Sequence, residues 1–348
     1  MKLKKWLSLF LVLCMLFSFA ACGSEEYYTE DEETKETTEA TTTATTEPQQ
    51  TEPTETTTPE ETDQASSAPL LYKVTDSQGN VAWLFGSIHV GAEYYYPLPN
   101  YVTAAYYGAD ALAVEFDIIA YESDLQTQMS DMMQLMYTDG TTISSHLPAE
   151  LYNEAVQILT ENNMYSAMMD VYCISMWATL IDNITYEKLG VRTDLGIDRH
   201  LLEQAYTDNK TILNVESSTF QYGMMAEFSE ELQTILLETA IAGYKDQAGV
   251  STDLEEMLAL WASGDEAAFT AYLCEEEAFS SPEEEALYEE YNNAMLISRN
   301  LNMASFVEDV LKTGQEVFVC VGAAHVVGPG AMVELLRQRG YTVELVGV

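Results

Sequence analysis

Basic residues are scarce in this chain. Its 348 residues include 14 Lys and Arg against 57 Asp and Glu, a formal net charge of −43. A surface of that sign repels nucleic acid and anionic lipid at long range, so we expect no nucleic-acid partner. It favours cationic partners or metal cations, although most of the acidity serves to keep a secreted protein soluble.

Several catalytic and structural motifs are also missing. Five cysteines occur without any Cys-x-x-Cys, which argues against a disulfide framework, and Cys320 lies in an apolar run as a packed thiol. There is no His-Glu-x-x-His, which excludes a zincin. There is no Gly-x-Ser-x-Gly either, which argues against an ordinary serine hydrolase.

The N-terminus reads as a secretory signal. Three lysines precede an apolar run, Trp6 to Ala21, that is too short for an ordinary transmembrane span. Phe19-Ala20-Ala21-Cys22 resembles a bacterial lipobox, although Phe19 is not the usual residue at its position. We therefore expect residues 1–21 to be removed and Cys22 to carry lipid that holds the protein on the extracytoplasmic face of the membrane. A plain signal peptidase cut is the alternative.

A segment rich in Thr, Glu and Pro follows the signal. Residues 22–69 offer little apolar surface to bury, and their like charges repel. Such composition is typical of a disordered, extended tether. We expect the folded domain to occupy residues 70–348.

Two Gly-x-x-His elements mark the ends of this domain. The apolar run Val317–Val321 is followed by Gly322 and His325, and Trp83–Phe85 is followed by Gly86 and His89. A continuous apolar run is typical of a strand buried on both faces of a parallel sheet. Because ligands bind outside the carboxyl ends of such strands, we expect both imidazoles on one rim.

Two further strands end in acids. The apolar run in residues 111–117 places Glu115 near a strand end, and Asp117 lies on the same strand face if the strand continues. The run in residues 211–216 likewise ends at Glu216. Leu70–Val74 and Val81–Phe85 predict a hairpin. The pattern from about 123 to 311 is otherwise helical. The predicted fold class is α/β, with a mixed, largely parallel central sheet and a long helical insertion.

Two imidazoles and one or two carboxylates suit a borderline divalent ion. We take His89, Glu115, His325 and Glu216 as candidate metal ligands, and Mn, Co or Zn as the candidate ion. An open metal site would activate water or polarise a carbonyl. Without metal, a carboxylate–imidazole pair could act as a general base. Ser87 as a nucleophile is a weaker alternative.

Arginine and amide residues near these positions complete the candidate site. Arg299 could orient substrate or stabilise developing negative charge, although an exposed helix arginine is the ordinary alternative. Asp198 and Gln221 are candidate substrate-binding residues, although Asp198 and Glu216 could equally be loop and cap acids. His146 and His200 are expected to be ordinary.

These residues carry a resemblance. Residues 85–91, 112–115, 196–198, 215–216 with Gln221, 299–300 and 321–325 resemble, in order, the TraB/PrgY/GumN family, which includes the Tiki proteases. The resemblance implies a fold like that of the erythromycin esterases and the haem-binding ChaN proteins. It also implies a metal-dependent peptidase in which the two Gly-x-x-His histidines, Glu115 and Arg299 take part.

The expected function is therefore a membrane-tethered extracytoplasmic metallohydrolase, a peptidase acting on a peptide or protein. The alternative is a non-catalytic protein that binds a peptide, haem or a metal ion in a Met-rich helical groove. A surface scaffold with no metal is a third class.

Overall fold

A central six-stranded sheet organises the described part of the chain. The computed structural model describes residues 67–274 and 279–347. The predicted signal, Cys22 and most of the predicted tether lie outside these residues. The strands are β1 (Leu71–Thr75), β2 (Val81–Ser87), β3 (Ala111–Val114), β4 (Thr211–Asn214), β5 (Val317–Gly322) and β6 (Thr342–Val346).

The sheet is mixed and mostly parallel, which confirms the predicted fold class. Its order is β4-β3-β5-β2-β1-β6. The strands β4, β3, β5 and β2 run parallel to one another, whereas β1 pairs antiparallel with both β2 and β6. The β1–β2 hairpin is present, closed by a turn at Asp76–Asn80 in which Asp76 accepts the backbone N–H of Asn80 at 2.9 Å.

Helices fill the connections between the strands. All six residues of β5 are buried, as a central parallel strand requires. The helix bounds, in chain order, are α1 (Asn100–Gly108), α2 (Ile118–Ser123), α3 (Leu125–Gln134), α4 (Ala149–Glu161), α5 (Ile174–Lys188), α6 (Ile197–Asp208), α7 (Ser218–Ala226), α8 (Glu230–Lys245), α9 (Gln247–Ser263), α10 (Glu266–Leu273), α11 (Pro282–Asn292), α12 (Ser298–Thr313), α13 (Ala323–Val326) and α14 (Met332–Gln338).

The long stretch between β3 and β5 is mainly helical and includes the short strand β4. Most of α5 is buried, and α5 packs along α8 to form the core of this stretch. The helix α11 begins at Pro282, where its missing N–H costs no hydrogen bond. Among the described residues, no helix combines the length and apolar character needed to span a membrane.

The folded body includes the last residues of the predicted tether. Ser67 is buried, the backbone N–H of Ala68 donates to the carbonyl of Ala262 at 2.7 Å, and the carbonyl of Pro69 accepts the Tyr101 hydroxyl at 2.6 Å. Residues 67–69 are therefore packed against the domain.

One local prediction differs from the structure. The strand β3 ends at Val114, so Asp117 shares no strand face with Glu115 but caps α2 by accepting the N–H of Ala120 at 3.0 Å. His325 lies just past the end of β5, on the short helix α13.

Candidate functional site

The carboxyl ends of four adjacent parallel strands meet at one edge of the sheet. Ser87 of β2 is in register with Gly322 of β5, and Val114 of β3 is in register with both Cys320 of β5 and Asn214 of β4. The next residues along each chain segment include His89, Glu115, Glu216 and His325. These four side chains are therefore brought to the same edge by strand register.

A buried arginine joins the two glutamates. Arg299 is fully buried, and its Nη2 atom lies 2.6 Å from Oε2 of Glu115 and 2.8 Å from Oε2 of Glu216. Its Nε atom lies 3.0 Å from each carboxylate oxygen of Glu216. Charge-assisted bonds of this kind satisfy a buried guanidinium that would otherwise be costly. The alternative of an exposed helix arginine is thereby excluded.

The backbone before Arg299 is locally unwound. Residues Asn293–Ile297 form a π-helical turn between α11 and α12, and the Met295 carbonyl accepts from Nη1 of Arg299 at 3.3 Å. Single π turns inside α-helices are frequently found at functional sites. Here Arg299 and Asn300, which are neighbours in sequence, are both buried and both reach the site.

Glu115 is held by donors on both oxygens. Its Oε1 atom accepts the backbone N–H of Gly322 at 2.9 Å, and its Oε2 atom accepts from Gln221 at 3.0 Å as well as from Arg299. Burial by itself would raise the pKa of Glu115, but the positive charge of Arg299, the two histidines and the Gly322 N–H together outweigh it. Together with the other groups around it, Arg299 holds the pKa at about 2, so Glu115 is ionised.

His89 is paired with an acid from the first turn of α6. Its Nδ1 atom lies 2.8 Å from Oδ2 of Asp198. Burial by itself would lower the pKa of His89, but Asp198, with a further contribution from Glu115, raises it to about 9. The backbone braces this pair, since the N–H of Ile197 donates to the Ile88 carbonyl at 2.9 Å. A Cβ at Gly196 would lie 2.7 Å from the His89 carbonyl oxygen.

His325 has a neutral partner. Its Nδ1 atom lies 2.7 Å from Oδ1 of Asn300, whose amide donates to the Gly330 carbonyl at 3.1 Å. The amide oxygen can only accept, so Nδ1 carries the proton and Nε2 presents a lone pair. Burial, followed by the charge of Arg299, lowers the pKa of His325 to about 3. The Nε2 atom lies 4.0 Å from Oε1 of Glu115.

Four buried polar atoms of this site have no hydrogen-bond partner among the described residues. They are Nε2 of His89, Nε2 of His325, Oε1 of Gln221 and Oδ1 of Asp198. Buried polar atoms are nearly always satisfied, so a cluster of unsatisfied ones indicates a place where a ligand binds. His325 is fully buried, whereas the His89 side chain keeps 17% of its surface exposed.

Both imidazoles are oriented as metal ligands usually are. Each ring donates through Nδ1 to an oxygen, Asp198 or Asn300, and leaves Nε2 free. The carboxylates differ: Glu216 accepts from both Arg299 and Gln221, so it would have to leave these donors to bind metal. Across the described part of the chain, no group of three or more His, Cys, Asp and Glu is arranged to hold a metal ion. Among the four candidate ligands, the two imidazoles are the ones that leave an atom, Nε2, without a hydrogen-bond partner in that part of the chain.

Three other residues, Ser87, His146 and His200, do not belong to the candidate site. Ser87 is buried, and no described imidazole or carboxylate is hydrogen-bonded to its hydroxyl, so it lacks the adjacent base a nucleophile needs. His146 is stacked on Tyr137 and pairs with Glu230 at 2.7 Å, and His200 stacks on Tyr96. Asn300 had no role assigned from the sequence; its position next to Arg299 was the available signal.

The fold and site define an α/β protein whose parallel strand ends gather two histidines, two glutamates and a buried arginine. The sequence model of the TraB/PrgY/gumN family matches residues 70–345. The chain belongs to this family, which confirms the resemblance read from the motifs.

Two relatives share the same extent of similarity. They are the uncharacterized protein YbaP of Escherichia coli (strain K12) and its namesake in Shigella flexneri. Each is 24% identical over 254 residues, which cover 73% of this chain and 87% of the relative. No solved structure matches the chain, so the likeness to erythromycin esterases and ChaN proteins stays a prediction.

Proposed function

We propose that this protein is a hydrolase of peptide bonds that acts with a divalent ion, Mn, Co or Zn, bound between His89 and His325. The observation that carries the proposal is the pair of buried Nε2 atoms without partners, each on a ring whose other nitrogen is oriented by an oxygen. Bound there, the ion would supply a Lewis acid and an activated water.

The residues of the chain contribute orientation and charge. Asp198 binds Nδ1 of His89, and Asn300 binds Nδ1 of His325, so each ring is held with its Nε2 atom left for the ion. Arg299 keeps Glu115 ionised, and Glu115 is the carboxylate nearest to Nε2 of His325. In this proposal Glu216 positions Arg299, and the free Oε1 atom of Gln221 accepts an N–H of the substrate backbone.

The test compares His89→Gln and His325→Gln with the native chain. We expect both variants to lose bound metal on elemental analysis and to lose cleavage of a peptide library, and we expect a chelator to abolish cleavage by the native protein. His146→Gln is the matched control, because that imidazole is paired with Glu230 away from the site. Equal cleavage by the native protein and both site variants would refute the proposal.

A second candidate is binding without turnover of a peptide, haem or a metal ion. The hydrogen bonds of Glu115 and Glu216 favour this candidate, because all four of their carboxylate oxygens already accept from protein donors. Bound metal or a peptide complex without cleavage would support this candidate, and a Soret band would identify haem.

We further propose that lipid on Cys22 tethers the domain to the extracytoplasmic face of the membrane. The support is the lipobox-like sequence that ends at Cys22. Cys22→Ser should move the protein from the membrane fraction to the soluble fraction in a bacterial host. An unchanged distribution would contradict the tether.

A further inference from the structure

The helix α3 has its apolar and polar faces reversed. Its one buried residue is Asp131, whereas Leu125, Met129 and Met133 are 71%, 68% and 65% exposed. These three residues are spaced four apart and so form one ridge along the helix. Burial of such side chains is ordinarily favourable, and this arrangement forgoes that gain. The ridge Leu125/Met129/Met133 is therefore a surface built for a partner.

The polar face of α3 is specifically attached to the body. Oδ1 of Asp131 accepts the Thr219 hydroxyl at 2.7 Å, and Gln134 donates to the Thr219 carbonyl at 3.3 Å. A Cβ at Gly223 would lie 2.9 Å from Oε1 of Gln134, so the two helices approach closely. These contacts hold α3 in a fixed rotation with its ridge turned outward.

The helix that α3 packs against belongs to the candidate site. Thr219 and Gly223 lie on α7, and the same helix carries Gln221, which bridges Glu115 and Glu216. The neighbouring side chain, Phe220, is 42% exposed. The ridge is thus linked to the site through one helix.

We propose that the ridge docks the apolar side chains of the polypeptide substrate, in a segment that is uncharged or basic. The inference rests on the proposed function, and it names the substrate class that this function acts on. Methionine suits such a surface because its flexible thioether adapts to varied partners. The acids Asp117 and Asp124 precede the ridge, whereas Glu122 between them is paired with Arg199. Because the chain is also strongly acidic, an anionic lipid surface is disfavoured.

The test is binding, measured by fluorescence anisotropy, so that it does not depend on turnover. The probe is a short labelled peptide of leucines flanked by lysines, and its counterpart has serine at every leucine. We expect the native full-length protein to bind the leucine peptide more tightly than the serine peptide. The triple variant Leu125→Ser/Met129→Ser/Met133→Ser should bind the leucine peptide about tenfold more weakly, or weaker still.

The matched control is Ile297→Ser/Leu301→Ser. These side chains are 42% and 45% exposed, also four residues apart, and lie two positions before and after Arg299, on the face of the helix opposite to it. We expect this control to bind both peptides as the native protein does. Circular dichroism should show that all variants are folded, because each substitution is at an exposed position.

Three outcomes would overturn the inference. The first is equal binding of the leucine peptide by the native and ridge variants, or no binding by either. The second is a native dimer, seen by sedimentation, that the ridge variant loses, since a second copy would then be the occupant. The third is flotation of the Cys22→Ser protein, whose ridge is unaltered, with neutral lipid vesicles. Ridge-dependent binding without any cleavage would uphold the docking surface while refuting hydrolysis.

Discussion

The Nη2 atom of Arg299 lies 2.6 Å from Oε2 of Glu115, in an ion pair that is almost wholly buried. The two residues are 184 positions apart, and the bond ties α12 to the end of β3. Glu216 adds a second carboxylate to the same guanidinium. One guanidinium thus pairs with two carboxylates at the edge of the sheet.

Arg299→Met should lower the free energy of unfolding by about 3–5 kcal/mol, because it leaves two buried carboxylates without their cation. Urea denaturation followed by circular dichroism measures the loss. Arg192→Met is the control, since its pair with Asp194 is exposed and its removal should leave stability unchanged. A native-like unfolding midpoint for Arg299→Met would show that the pair does not support the fold.

Stability should pass through a maximum near pH 6.5. The folded-state pKa values of Glu115 and His325 are lowered to about 2 and about 3 from ordinary values of 4.5 and 6.5. Their contribution is therefore present above those ordinary values and is lost as the pH falls through the folded ones. The pKa of His89 is raised to about 9, so its contribution is complete below pH 6.5 and is lost as the pH rises through 9.

Two variants distinguish the acid side from the alkaline side of this dependence of stability on pH. His325→Gln should flatten the loss of stability on the acid side, and His89→Gln should flatten the loss on the alkaline side. Unfolding midpoints in urea across pH 3–10, compared with those of the native chain, measure both. A profile that keeps both slopes in both variants would assign the pH dependence to other groups.

His325 should be the neutral tautomer with its proton on Nδ1, because Asn300 offers it only an acceptor. Histidine-selective ¹⁵N NMR reports this directly, and we expect the ring signals to be unchanged from pH 8 to pH 5. Asn300→Asp places a carboxylate at the same atom and should raise the pKa of His325. Titration of His325 in this range by the native protein would contradict the assignment.

Gly196→Ala should disturb the His89–Asp198 pair. The new Cβ would lie 2.7 Å from the His89 carbonyl oxygen and 3.1 Å from the Thr193 carbonyl oxygen. We expect a loss of about 1–3 kcal/mol in the free energy of unfolding and a fall in the pKa of His89, measured by NMR. Gly108→Ala is the control, because no atom lies within 4 Å of its Cβ. An unchanged His89 pKa would show that the loop tolerates the methyl group.

Divalent ion uptake should strengthen as the pH rises toward 9, because a ligand imidazole must be unprotonated and His89 holds its proton up to that pH. Isothermal titration with Zn²⁺ and Mn²⁺ in buffers of different ionisation enthalpy would detect one released proton. Asp198→Asn removes the charge that raises the pKa and should weaken this pH dependence. Uptake that is independent of pH in the native protein would place the ion away from His89.

The sequence by itself determined where the strands end and which chemical groups stand there. Apolar runs closed by Gly-x-x-His, and two further runs closed by glutamate, identify four strand ends, and parallel strands bring their carboxyl ends to one edge. The family model matches residues 70–345, the part of the chain that contains these same motifs.

Only the tertiary structure decided how these groups are used. The sequence does not show that Arg299 pairs with the carboxylates of both Glu115 and Glu216. Nor does it show that Asp198 raises the pKa of His89, whereas burial and the charge of Arg299 lower the pKa of His325. It also does not show that the methionines of α3 face outward. Each of these depends on burial and on contacts between distant segments, which local sequence patterns do not encode.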